Sequence, residues 1–265
     1  MAAALLLVLL AGCSDEGSGG GGEASPRSAA SGAEAVEPAL CGTDVVVSEK
    51  AAETSEPLTV PEMQARLLSQ PAVKPAGFTS QAVVVDEGLG SFRISTPSSY
   101  SPFWRNGTPA GDLFDLAGPR DRAWADFWQG QMEVGELNAR AIAVDTSKND
   151  EVSALIITLT PGIAETGDAM ADVFSETYSG GGWPIREACG ARANGEDGAY
   201  VEHIVPAEVV DGPADRTQLQ FLIPDPPNDV LWGVTCDVTE KSVVEVKKTC
   251  LEIVRTFEPL PPVDA

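Results

Sequence analysis

The chain has 265 residues, enough for one domain with a tail or for two small domains. Its 40 acidic residues against 17 basic ones give a formal charge of −23, and no stretch concentrates Lys or Arg. Such a chain has nothing with which to displace counterions from nucleic acid or to adhere by charge to anionic lipid, so a membrane attachment would have to be covalent.

From Ala2 to Leu10 the residues are all apolar (AAALLLVLL). The run is too short for a transmembrane helix, which needs about 20 apolar residues, and has the length of a secretory leader core. Leu10-Ala11-Gly12-Cys13 follows. This LAGC quartet resembles the lipobox of bacterial lipoproteins. The resemblance implies that residues 1–12 are removed as a signal peptide, and that Cys13 carries diacylglycerol and a further acyl chain such as palmitate. The mature protein would then sit on the extracytoplasmic face of the cell membrane. No Lys or Arg precedes the apolar run, so either the true start lies upstream or the leader is a weak one. Residues 13–38 are rich in Gly, Ser and Glu and almost free of large apolar side chains. They cannot offset their chain entropy by burial and are expected to form a flexible acidic linker. With a reach of about 5–6 Å times the square root of residue number, roughly 25 residues hold a domain a few nanometres off the membrane.

Residues 39–80 read as an N-terminal extension. Asp44-Val45-Val46-Val47 suggests a short strand, and residues 61–70 a helix with Pro61 in its first turn. The domain proper is expected over 81–260. Residues 81–86 and 91–96 form the first hairpin signal, with Phe92 and Ile94 inward. The stretch from Tyr100 to Gln131 is dense in aromatics, and Trp124, Phe127 and Trp128 recur at helical spacing within 121–132. These aromatics either pack on a sheet or line a contact face, since aromatic side chains dominate such surfaces. Tyr100, Phe103, Trp104, Trp124 and Trp128 are the candidate partner or ligand surface.

Two strong strands, 139–145 and 152–160, flank a polar turn. Residues 166–178 read as a helix ended by Gly180-Gly181-Gly182. Strands are expected at 186–193, 199–206, 217–223 and 230–238, the last with Trp232, Val234 and Cys236 on one face. A closing helix over 241–256 sets Val243, Val246, Cys250, Ile253 and Val254 on one face and Lys247 and Lys248 elsewhere on the wheel.

Besides Cys13 there are four cysteines, which allow three connectivities. An even number fits disulfides in an oxidising compartment. Cys236 and Cys250 both face the core side of consecutive elements, so they are paired here. Cys41 and Cys189 are paired by elimination.

Catalytic signatures are missing from the sequence. The single histidine, His203, lies in a strand with no G-x-S-x-G elbow to serve. It reads as a structural histidine with a satisfied ring. No clustered His or Cys suggests zinc, and Asp145–Glu151 lacks the central glycine of a calcium loop. Neither a P-loop nor a dinucleotide fingerprint is present, and no cofactor or metal is expected. Asn106-Gly107-Thr108 matches a glycosylation sequon but reads as an Asn-Gly turn.

The element order, with the strand SFRISTP, a long hairpin, a helix, further antiparallel strands and a closing Ile253-Val254-Arg255-Thr256-Phe257, resembles the PsbP/Mog-like family. It resembles in particular the LpqN-type lipoproteins of actinobacteria. The resemblance covers about Val83 to Pro259. It implies an α+β fold, a central antiparallel sheet with helices on both faces (an α/β/α sandwich). It also implies binding or accessory work rather than catalysis. The expected function is that of a non-enzymatic envelope lipoprotein with a protein partner. The alternatives are a carrier of a small apolar or lipidic ligand, and a hydrolase whose carboxylates nothing singles out.

Overall fold

The computed structural model describes residues 41, 74–86, 90–105, 115, 117–134, 139–147, 151–163, 165–193, 196–239 and 243–260. The leader, Cys13, the linker and the expected elements at 44–47 and 61–70 lie outside the described residues.

The strands are β1 (Phe78–Asp86), β2 (Gly90–Pro97), β3 (Trp104–Arg105), β4 (Ala139–Val144) and β5 (Ala154–Pro161), followed by β6 (Ile185–Ala193), β7 (Glu196–Val205), β8 (Arg216–Asp225), β9 (Val230–Thr239) and β10 (Glu258–Leu260). The helices are α1 (Arg122–Val134), α2 (Gly167–Gly180) and α3 (Val243–Val254). Seven strands form one sheet in the order β3-β4-β5-β9-β8-β7-β6, and three form a second in the order β1-β2-β10. The pairings given between these strands are antiparallel. The fold is α+β, as the sequence implies. Two strands escape sequence reading, the two-residue β3 and the three-residue β10.

The large sheet has two faces with different coverings, set by period-two alternation. On β9, Trp232, Val234, Cys236 and Val238 enter the main core with Phe92, Ile94, Leu155, Ile157, Phe221, Ile253 and Phe257. There α3 and the small sheet cover the large one. Phe92 lies edge-on to Trp232 and stacked on Phe257, with centroids 5.7 and 5.5 Å away. Gly90 (φ +156°) meets the rim of Trp232, where a Cβ would come within 2.9 Å of the ring. A glycine is needed there for close packing.

On the opposite face α1 and α2 lie side by side over different strands. Trp124, Ala125 and Trp128 of α1 cover Ile142, Val144, Ala154 and Ile156 of β4 and β5. Met170 and Ala171 of α2 cover Ala199, Val201, Leu222 and Leu231. Helices therefore occupy both faces. Asp121 caps α1, its carboxylate accepting from the Trp124 amide at 3.0 Å.

Both disulfides join as read from the sequence. Cys236–Cys250 ties α3 to β9, and Cys41–Cys189 ties the chain ahead of β1 to the outer strand β6.

Lys247 departs from the sequence reading. It is 2 % exposed, within the α3 contact with the sheet, because a buried carboxylate awaits it there.

Candidate functional site

The five aromatics singled out in the sequence do not form one surface. Trp104, Trp124 and Trp128 are buried (9 %, 0 % and 6 % exposed) in the core beneath α1. Tyr100 and Phe103 are half-buried against the main core on the other side of the sheet. Phe103 meets Phe92 edge-on at 5.6 Å. The physical reason is amphipathicity. Residues 124, 125 and 128 share one stripe of α1, and that stripe faces β4 and β5. Burial also raises the pKa of the Tyr100 phenol well beyond its usual range, with the Asp145 charge adding to it.

Among the described residues, three buried polar groupings stand out that sequence periodicity does not signal. Under α1, the Arg216 guanidinium donates to Asp237 (2.8 Å), Asp121 (3.0 Å) and the Val152 carbonyl (2.7 Å). The Trp124 indole donates to the second Asp237 oxygen at 2.8 Å. This network is well satisfied, and its role is to fix α1 on the sheet.

Under α3, Lys247 donates to Glu202 at 2.7 Å and lies 3.6 Å from Glu187. The Tyr200 hydroxyl donates to the same Glu202 oxygen at 2.8 Å, and Arg186 lies 3.7 Å from the other. Glu187 in turn accepts from the Cys41 amide at 2.7 Å. The cluster thus links α3, β6, β7 and the Cys41–Cys189 bridge.

Beside α2, His203 (0 % exposed) stacks on Tyr178 at 4.0 Å between centroids. Trp183, directly after the glycine run, lies nearly parallel to both rings. The His203 Nε2–H donates to Gln218 Oε1 at 3.1 Å, and the Tyr178 hydroxyl donates to Gln220 Oε1 at 2.7 Å. Burial drives the imidazole pKa down to about 4, against the opposing effect of Gln218. Burial also pushes the Tyr178 phenol up to about 12. Both are neutral at pH 7. The ring is satisfied on one side only, since Nδ1 is sealed and unpartnered. A neutral, solvent-sealed imidazole is poorly placed for general-base work on an outside substrate.

The strip of sheet between α1 and α2 is polar. It carries Gln218 and Gln220 of β8, Thr235 of β9 and Thr158 of β5, joined through the cross-strand pairs Gln220–Thr235 and Thr158–Gly233. Gln220 and Thr235 are buried (7 % and 3 %), and Gln218 and Thr158 half-buried. Sequence alternation places these residues on one face, but it does not say that the Tyr178 hydroxyl of α2 reaches Gln220 there. No cluster of metal-ligating side chains occurs among the described residues. No helix among them is long and apolar enough to cross a membrane.

No family profile and no curated protein matches the chain. Among solved structures it is similar to cyanobacterial PsbP from Synechocystis sp. PCC 6803, with 12% identity and a TM-score of 0.42 over 71% of this chain and 95% of that one. It is similar to the Saccharomyces cerevisiae Ran-binding protein Mog1p, with 12% identity and a TM-score of 0.40 over 71% and 97%. LpqN, involved in cell envelope biogenesis of Mycobacterium tuberculosis, is 10% identical with a TM-score of 0.40 over 77% and 99%. At such identities the likeness concerns the fold alone.

Proposed function

We propose that this chain is a lipoprotein tethered through Cys13, whose folded part is a non-enzymatic binding domain for a protein partner in the cell envelope. The observation that carries the reading is the cysteine pairing. Cys41–Cys189 and Cys236–Cys250 use four of the five cysteines, and the fifth is the one in LAGC. Disulfides persist in oxidising compartments, which fits export. The linker of residues 13–38 then supplies the spacing for a domain that works a few nanometres from its anchor.

The intact mass of the protein from membranes of its native host tests this. It should lack residues 1–12 and carry acyl chains, and Cys13→Ala should release it from the membrane. A mature chain that retains Met1 and has a free Cys13 defeats the proposal. A small mass that co-purifies in native mass spectrometry would favour the carrier reading over a protein partner.

A further inference from the structure

The two disulfides differ in what surrounds them. Cys236 and Cys250 are 1 % and 0 % exposed, inside the main core, on the interior strand β9 and on the helix α3. Cys41 and Cys189 are only half-buried, packed against the margin of that core. Cys189 belongs to β6, the last strand of the large sheet, and its chain neighbours are the exposed Ala188 and the half-buried Gly190. Thiol–disulfide exchange needs a thiolate to reach one of the two sulfurs, so access decides which bridge reacts. In the folded chain a thiolate can approach Cys41–Cys189 from the rim of the sheet. Cys236–Cys250 is sealed until α3 leaves the sheet.

The accessible bridge is also linked to the buried charge cluster under α3. The Cys41 amide donates to Glu187 Oε1 at 2.7 Å. Glu187 Oε2 lies 3.6 Å from Lys247 Nζ, which donates to Glu202 at 2.7 Å. The Lys247 and Glu202 side chains are 3 % and 1 % exposed, and that of Glu187 is 18 % exposed. Glu187 is thus the carboxylate through which water would enter the cluster, and residue 41, held there by its disulfide, lies against it. Departure of residue 41 takes a donor from Glu187 and opens the cluster on its rim side. A buried ion pair depends on just such supporting hydrogen bonds.

We propose that Cys41–Cys189 is a thiol–disulfide exchange site, opened in the folded protein by a protein dithiol, and that its opening loosens the hold of α3 at Lys247. One thiolate of the reductant attacks a sulfur of the bridge and displaces the other cysteine as a thiolate, which takes up a proton. The second thiol of the reductant then attacks the mixed disulfide and displaces the remaining cysteine in the same way. Two electrons and two protons pass to Cys41 and Cys189, and the reductant leaves as its own disulfide. Cys236–Cys250 stays closed and keeps α3 joined to β9, so the change is local. The site goes beyond the tethered-binding reading and does not depend on a lipid at Cys13.

The test uses the full chain with Cys13→Ser, which leaves the four bridged cysteines alone in the molecule. The protein is exposed to graded dithiothreitol without denaturant, free thiols are trapped with iodoacetamide, and the alkylated peptides are read by mass spectrometry. Cys41 and Cys189 should be alkylated together, at least about tenfold faster than Cys236 and Cys250. When only the first pair has opened, tryptophan fluorescence should remain native. Amide exchange should rise in Ile185–Ala193 and in Val243–Val254. The permanently open Cys41→Ser/Cys189→Ser form should fold and show the same exchange pattern. The proposal is overturned if the two pairs open at equal rates or in the reverse order, because reduction then follows unfolding. It is equally overturned if Cys41–Cys189 opens and exchange over Val243–Val254 does not change. A Cys41→Ser/Cys189→Ser chain that does not fold also overturns it, since the bridge could then never open in a folded protein. None of these outcomes bears on the mass measurement at Cys13, so the two readings fall separately.

Discussion

Lys247 of α3 donates to Glu202 of β7 at 2.7 Å, with the two side chains 3 % and 1 % exposed. A charge pair this deep is costly to form and costlier to break, because removal of one partner strands the other in a medium that cannot solvate it. Lys247→Met should therefore destabilise the domain by about 3–5 kcal/mol, measured by urea unfolding. The double variant Lys247→Met with Glu202→Gln should recover part of that loss. If the losses of the two single variants simply add, the pair is not coupled and the account is wrong.

His203 predicts a pH dependence whose sign is fixed by its pKa of about 4 in the folded state. The free imidazole value is about 6.5, so the unfolded chain binds the proton first. Stability is complete above about pH 6.5 and falls as pH drops toward about 4, with a total contribution of about 3 kcal/mol. The chain has one histidine, so its imidazole proton resonances can be followed without ambiguity. A titration midpoint near that of free imidazole would refute the buried, neutral ring.

Trp124→Phe removes the donor that Asp237 receives at 2.8 Å. The exposed cost of a buried unpaired acceptor is about 1–3 kcal/mol. Arg216→Met should cost more, about 3–5 kcal/mol, since it strips both Asp237 and Asp121 of their cation. Thermal denaturation distinguishes the two. Equal effects would mean that the guanidinium contributes no more than the indole to holding α1 in place.

Reduction should separate the two disulfides by effect. Cys236 and Cys250 are 14 residues apart, and a loop of that size is worth about 3 kcal/mol to the folded state. Replacing both by Ala should lower the unfolding midpoint accordingly, measured against the same protein with Cys41 and Cys189 replaced. Equal midpoints for parent and Cys236→Ala/Cys250→Ala chains would contradict the bridge.

What the sequence revealed follows from what repeats in it. The hairpin at 139–160 and the face shared by Trp232, Val234 and Cys236 were legible because alternation maps directly onto burial. The pairing of Cys236 with Cys250 followed from those same faces. The strands β3 and β10 were not legible, because two or three residues carry no period. A helical wheel sets Lys247 apart from the apolar stripe of α3 and does not signal its burial. Its burial depends on Glu202, 45 residues earlier in the chain, which no local pattern connects to it. The aromatics of α1 were visible as a stripe, but whether a stripe faces a sheet or a partner depends on which strands lie beneath it. The polar strip was hidden for the same reason. Gln218, Gln220 and Thr235 are ordinary strand residues until two helices land on either side of them.

The bridge from Cys41 to Cys189 also determines how mechanical load enters the domain. A pull applied upstream of residue 41 crosses the disulfide and arrives at Cys189 in the outer strand β6, not at β1. The covalent stretch from residue 42 to residue 188 is short-circuited and carries no tension from that direction. Force entering through that bridge would accordingly load the β6 rim of the large sheet before the small sheet and its hairpin. Under reducing conditions the same pull would be rerouted through β1.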